Sequence, residues 1–138
     1  MVVQSAGYHE IEHMADWELH VWAPNLSALF EQAARGMYAL SGTRLQNGPR
    51  RMKFLKLSAA DRESLLVIFL EELLFLGEQE HIGFDNYDDL RLSENRIELQ
   101  IEGAPILSQS KEIKAVTYHN LEIRETKQGY EVNIVFDV

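Results

Sequence analysis

The amino-acid sequence predicts an α+β fold of two layers, in which two helices pack on a largely antiparallel sheet. Three observations point to it. Apolar residues recur at every second position near both ends of the chain, the mark of half-buried strands. Two intervening segments carry apolar residues at helical spacing, each opened by a residue that can cap a helix. The last two strand-like segments are separated by Lys127, Gln128 and Gly129, short enough for a hairpin with glycine where a positive φ is needed. The chain has 138 residues, enough for one sizeable core and too few for two, and no repeat or Pro/Gly/Ser-rich linker divides it. A single domain over residues 1–138 is expected.

The elements follow in order. Trp17, Leu19 and Val21 alternate with Glu18, His20 and Trp22, so residues 8–23 read as extended, with an interruption near Ala15. Pro24 and Asn25 break the alternation. Asn25 caps a helix carrying Leu26, Leu29, Phe30, Ala33, Ala34, Met37 and Tyr38, which Gly42 ends. Met52, Phe54, Leu55 and Leu57 read as a short strand. Ser58, with Asp61 three residues on, resembles a capping box for a second helix. Leu65, Leu66, Ile68, Phe69, Leu70, Leu73, Leu74 and Leu76 make that helix apolar around much of its circumference, so it should be the most buried element. Four strands are expected beyond Gly83, around Leu90 and Leu92, Ile97 to Ile101, Leu121 and Ile123, and Tyr130 to Phe136.

Charge narrows the function classes. Twenty-two acidic residues against 13 basic ones leave a net charge of −9, which opposes unaided binding to a phosphate backbone, so no direct nucleic-acid binding is expected. Arg50, Arg51, Lys53 and Lys56 form the one basic cluster, read as a solvated strand edge. No stretch approaches the ~20 apolar residues of a membrane span, and residues 1–13 lack the pattern of a secretory signal. The cytoplasm is the expected compartment. Cysteine is absent, so disulfides and thiolate ligands are excluded.

Chemistry-bearing residues are few. There is no Gly-rich phosphate loop and no GxSxG elbow. His9 and His13 have a helical metal spacing, but four residues along a strand separate side chains by roughly 13 Å, too far for one zinc ion. Asp16 closes the segment His13-Met14-Ala15-Asp16 where the chain is expected to bend. Asp137 precedes Val138, whose α-carboxylate would place a second carboxyl group beside it. Two readings of this end stand side by side: a frayed acidic terminus, or a site where a hard divalent cation relieves the repulsion and Asp16 adds a third acid. Lys114 opens a strand-like segment, Lys114-Ala115-Val116-Thr117-Tyr118-His119-Asn120, in which Tyr118 and His119 would point to opposite faces.

Five blocks in chain order carry a resemblance to the archease family. They are Tyr8-His9-Glu10-Ile11-Glu12-His13-Met14-Ala15-Asp16, the helix from Asn25 to Ala34, the helix carrying Leu65, Leu66 and Phe69 to Leu74, the segment from Ile113 to His119, and the ending Val135-Phe136-Asp137-Val138. The resemblance spans essentially the whole chain. It implies a non-enzymatic accessory protein that activates an RtcB-type RNA ligase in tRNA splicing, by promoting its guanylylation and multiple turnover. It also implies a divalent cation, Ca²⁺ first and Mg²⁺ or Mn²⁺ as alternatives, held by Asp16, Asp137 and Val138, with Lys114 needed for activation. Met14 stands where threonine is usual, Glu18 where glycine is common, and Asn120 where aspartate is frequent. Two other readings are kept: a metal-dependent hydrolase of small phosphorylated substrates, with Asp16 and Asp137 on the ion and His13 or His119 as general base, and a general protein-binding chaperone.

Overall fold

The structure is a computed structural model and describes residues 5–12 and 16–138. Strands β1 (Gly7–Glu12) and β2 (Trp17–Ala23) pair antiparallel, from Gly7 opposite Trp22 to Glu12 opposite Trp17. The extended segment expected over 8–23 is therefore two strands folded back on each other. His13, Met14 and Ala15, and with them the expectations placed on His13 and Met14, lie outside the described residues.

Helix α1 (Leu26–Ser41) starts as its sequence dictates: Asn25 keeps an extended backbone, and its side chain accepts from the Ala28 amide at 2.8 Å. Gly42, at φ 65°, ends it, and the Gly42 amide donates to Ala39. After the two-residue β3 (Arg44–Leu45) and β4 (Arg51–Ser58) comes α2 (Arg62–Glu80). Its cap is Asp61, whose side chain accepts from the Ser64 amide. Ser58, the expected cap, is instead the last residue of β4 and pairs with Arg96. A ladder position already claims its backbone, and the helix starts at the next acid able to reach a free amide.

Strand β5 (Ile82–Leu92) begins earlier than the expected strand around Leu90, and is followed by β6 (Arg96–Ser108), β7 (Ala115–Val116), β8 (Arg124–Thr126) and β9 (Gly129–Asp137). Leu121 and Ile123 form no strand. The Ile123 amide donates to Glu63 at 2.9 Å and its carbonyl accepts from Arg62 at 3.1 Å, so side chains of α2 satisfy the backbone that a ladder would have used. The β8–β9 hairpin turns as expected, with Gly129 at φ 136° opposite Thr126.

The class is α+β, with two helices on antiparallel sheets, and the strands divide between two sheets. One runs β1-β2-β9-β7, with β8 also on β9; in the other, β3, β4 and β5 all pair with β6. α1 lies against β1, β2 and β9 of the first sheet and β5 of the second, while α2 touches β7 on one side and β4, β5 and β6 on the other. Contact with both sheets explains why α2 is apolar around so much of its surface. Phe30 and Phe69 are fully buried, with ring centroids 6.0 Å apart, and join the two helices; each burial of this size contributes roughly 1.5–3 kcal/mol. The basic cluster does sit on the β4 edge, where Arg50 meets Asp85 and Glu102 and Lys53 meets Glu80. Among the described residues no helix is long and apolar enough to cross a membrane.

Candidate metal centre

The centre is built on β9. Val132, Ile134 and Phe136 are fully buried, so the alternation of a strand sends Glu131, Asn133 and Asp137 to the opposite face. One edge of β9 pairs with β2 in a register that sets Phe136 opposite Trp17. Asp16 and Asp137 are the residues that flank this last pair, Asp16 in the bend before β2 and Asp137 at the end of β9. The other edge pairs with β7, with Asp137 opposite Ala115 and Val116 opposite Phe136. The Lys114 amide donates to the Asp137 carbonyl at 2.8 Å, and the Thr117 amide and hydroxyl both donate to the Val135 carbonyl, at 2.9 and 3.0 Å. Asp137 and the backbone of Lys114 thus meet at the end of the sheet where Phe136 pairs with Trp17, the residue after Asp16; Asp137 is exposed and Asp16 and Val138 are half-buried.

Asp16 lines a cavity of about 200 Å³ together with Glu18, His119, Asn120, Asn133 and Val135. Asn133 is oriented by its neighbours: its amide donates to Glu18 Oε2 at 2.5 Å and its carbonyl oxygen accepts from Arg124 at 3.1 Å. Arg124 also meets Glu131 at 3.2 Å, and His20 lies 3.5 Å from the same carboxylate. A chain of polar side chains thus runs from the cavity across the outer face of the sheet. Its one arginine partly offsets the acids gathered there.

His119 and Tyr118 part company as expected. His119 turns into the cavity with Asp16, while Tyr118 lines a different groove, against α2. The segment is not a regular strand there: β7 ends at Val116, the Leu121 amide closes a turn on Tyr118, and Asn120 adopts φ 51°. Lys114 is exposed and lines a second groove along α2, not the cavity that holds Asp16. Glu18 and Asn133 were not singled out as site residues by sequence. Their signal was the period of two: positions 16 and 18 share a face of one strand and 133, 135 and 137 a face of another, but only the pairing of those strands shows that the faces are the same.

The donor set consists of hard oxygens, which suits Ca²⁺, Mg²⁺ or Mn²⁺ rather than a thiophilic ion. Among the described residues no three His, Asp or Glu side chains converge to form a complete cage.

Two helices packed on antiparallel sheets are the arrangement found in archease structures. The crystal structure of an archease and possible chaperone from Thermotoga maritima superposes with a TM-score of 0.71, at 22% identity, over 93% of this chain and 94% of that one. The solution structure of protein 1598 from Methanobacterium thermoautotrophicum gives a TM-score of 0.68 at 21% identity, over 96% and 99%. The sequence is closer to other relatives. It is 32% identical to the archease of Methanosarcina barkeri over the full length of both chains, and 29% identical to that of Danio rerio over 95% of this chain and 85% of that one. Residues 8–138 match the model of the Archease protein family (MTH1598/TM1083). The chain belongs to the archease family.

Proposed function

We propose that this chain is a non-enzymatic, cation-dependent accessory protein that activates an RtcB-type RNA ligase in tRNA splicing, promoting guanylylation of the ligase and its multiple turnover in the cytoplasm. The observation that supports the reading is the β2–β9 register, whose last pair, Trp17 and Phe136, is flanked by Asp16 and Asp137, 121 positions apart in the sequence. Asp16, Asp137 and the carboxyl group at Val138 would hold the ion, Ca²⁺ first and Mg²⁺ or Mn²⁺ as alternatives. When bound, the ion neutralises these acids and presents a concentrated positive charge to an oxygen of the partner. Hard cations take about six to eight oxygen ligands in the case of Ca²⁺, so two side chains and one terminal carboxyl leave positions open at the surface.

The rest is the work of the chain's own residues. Pairing with β7 holds the backbone of Asp137 opposite Ala115, and the Lys114 amide fixes its carbonyl. Lys114 keeps its side chain exposed beside this end, available to an anionic group on the ligase. The net charge of −9 favours encounter with a basic, RNA-handling enzyme and leaves the RNA to that enzyme.

The experiment is ligase guanylylation and multiple-turnover joining, with and without this protein, as Ca²⁺ is titrated. Stimulation by wild type and its loss in Asp137→Ala are expected; equal stimulation by the two would refute the reading. Because His119 shares the cavity of Asp16, the hydrolase reading is tested alongside it: turnover of a simple phosphoester, abolished by Asp16→Asn, would replace the accessory role with an enzymatic one.

A further inference from the structure

α2 turns most of its surface inward, yet Phe75 stands 54% exposed on its outer side. Ile68, Glu71, Glu72 and Glu78 fall three, four or seven residues from it and so share its stripe. Tyr118, 58% exposed, comes from the turn after β7. The two rings line one open groove of about 550 Å³ together with Val67, Ile68, Glu71 and Glu72. Phe75 and Glu71 also line the groove of about 480 Å³ that continues along α2 to Glu78, Glu112 and Lys114. The two grooves are neighbours that share Phe75 and Glu71, one with two aromatic rings and both with glutamates in their lining.

Exposed aromatic rings over an apolar groove are the usual mark of a contact surface. The charge of the lining selects the occupant. Glu72, Glu78 and Glu112 line the two grooves with Lys114 and His81, beside Glu71, whose carboxylate accepts from the Val116 amide at 2.9 Å. A phosphate backbone would be repelled, and a second copy of this acidic chain would bring the same carboxylates against themselves.

We propose that this pair of grooves is a docking surface for a cationic amphipathic segment of a protein partner, with an apolar side chain seated between Phe75 and Tyr118 and Lys or Arg side chains reaching Glu72, Glu78 and Glu112. The inference rests on the accessory reading in one respect: the partner is taken to be the ligase. Lys114 lines one of the grooves, and its amide meets Asp137, so a segment seated here delivers its protein to the candidate cation site. Affinity then comes from the grooves, and the ion is left to act on the partner it has been brought.

The test uses Phe75→Gln and Tyr118→Ser, exposed positions outside the cation site, with Glu72→Lys as a charge variant. Binding to purified ligase is titrated at low and raised ionic strength, and Ca²⁺ binding is measured on the same samples. Each variant should weaken ligase binding by about tenfold or more with Ca²⁺ binding unchanged, and added salt should weaken wild type more than Glu72→Lys. A second arm titrates a helical leucine–lysine peptide, following backbone amide shifts. These should cluster at residues 67–78 and 112–118 and vanish in Phe75→Gln. If wild type ignores the ligase while the peptide maps to the grooves, the surface stands and the ligase reading falls. If the ligase binds wild type and all three variants alike, the surface falls and the ligase reading stands. Peptide shifts elsewhere, or self-association of the protein that Phe75→Gln abolishes, would also overturn the proposal.

Discussion

The amide of Lys114 donates to the carbonyl of Asp137 at 2.8 Å. This bond ties the segment singled out for activation to the segment singled out for the cation, and it runs through backbone. Replacing the Lys114 side chain should therefore leave the C-terminal strand in place, whereas replacing the Asp137 side chain should remove ion affinity without unfolding a residue that faces solvent. Calorimetric titration with Ca²⁺ is expected to show binding by wild type and Lys114→Ala and none by Asp137→Ala or Asp16→Asn, with melting temperatures of all four within a few degrees of one another in the absence of the ion.

A Cβ at Gly103 would lie 1.8 Å from the carbonyl oxygen of Gly83 and 2.8 Å from Phe84 Cα, both backbone atoms of the neighbouring strand. The pairing of β5 with β6 is the constraint, and neither partner can yield without breaking the ladder. Gly103→Ala should cost about 3 kcal/mol or more and reduce soluble yield. Gly48→Ala, where a Cβ would meet nothing within 4 Å, should leave denaturant midpoints unchanged within error.

The Asn25 side chain satisfies the Ala28 amide at the start of α1. Asn25→Ala leaves that donor without its partner and should lower stability by about 1 kcal/mol. Asn25→Ser should recover most of it in urea unfolding.

Asp61 supplies the corresponding bond for α2, and the Ser64 amide and hydroxyl that it meets hold its carboxyl below the ordinary carboxylate range. The folded value is thus lower than the unfolded one. The stabilisation is fully present above the unfolded value and is lost as pH falls through the folded one. On acidification wild type should therefore lose stability more steeply than Asp61→Asn, a neutral residue that still caps; parallel pH profiles would show that the carboxylate has no such role.

Much of this was legible in the sequence because it rests on local chemistry. Asn25 and Gly42 bound α1 through side-chain and backbone preferences that need no tertiary partner. The Lys127, Gln128 and Gly129 connection specified its hairpin for the same reason. What was not legible depends on pairing. Ser58 has the makings of a cap, but Arg96 claims it as a ladder partner, and Ile123 has a strand's alternation but gives its amide and carbonyl to Glu63 and Arg62. At the candidate site the acids near either end could be named by type and by resemblance. Glu18 and Asn133 entered only when β2 and β9 were seen side by side, since the alternation of one strand does not say which face of another it shares.

β9 pairs along one edge with β2 and along the other with β7 and β8, so the strand made last is the one on which its sheet is assembled. Without Gly129–Asp137, the hairpin of β1 and β2 would keep its packing against α1, but the edge of β2 that β9 pairs with would be left open. The amides and carbonyls of β2, β7 and β8 that now pair with β9 would then face water as unpaired edges, the usual route by which one chain adds to another.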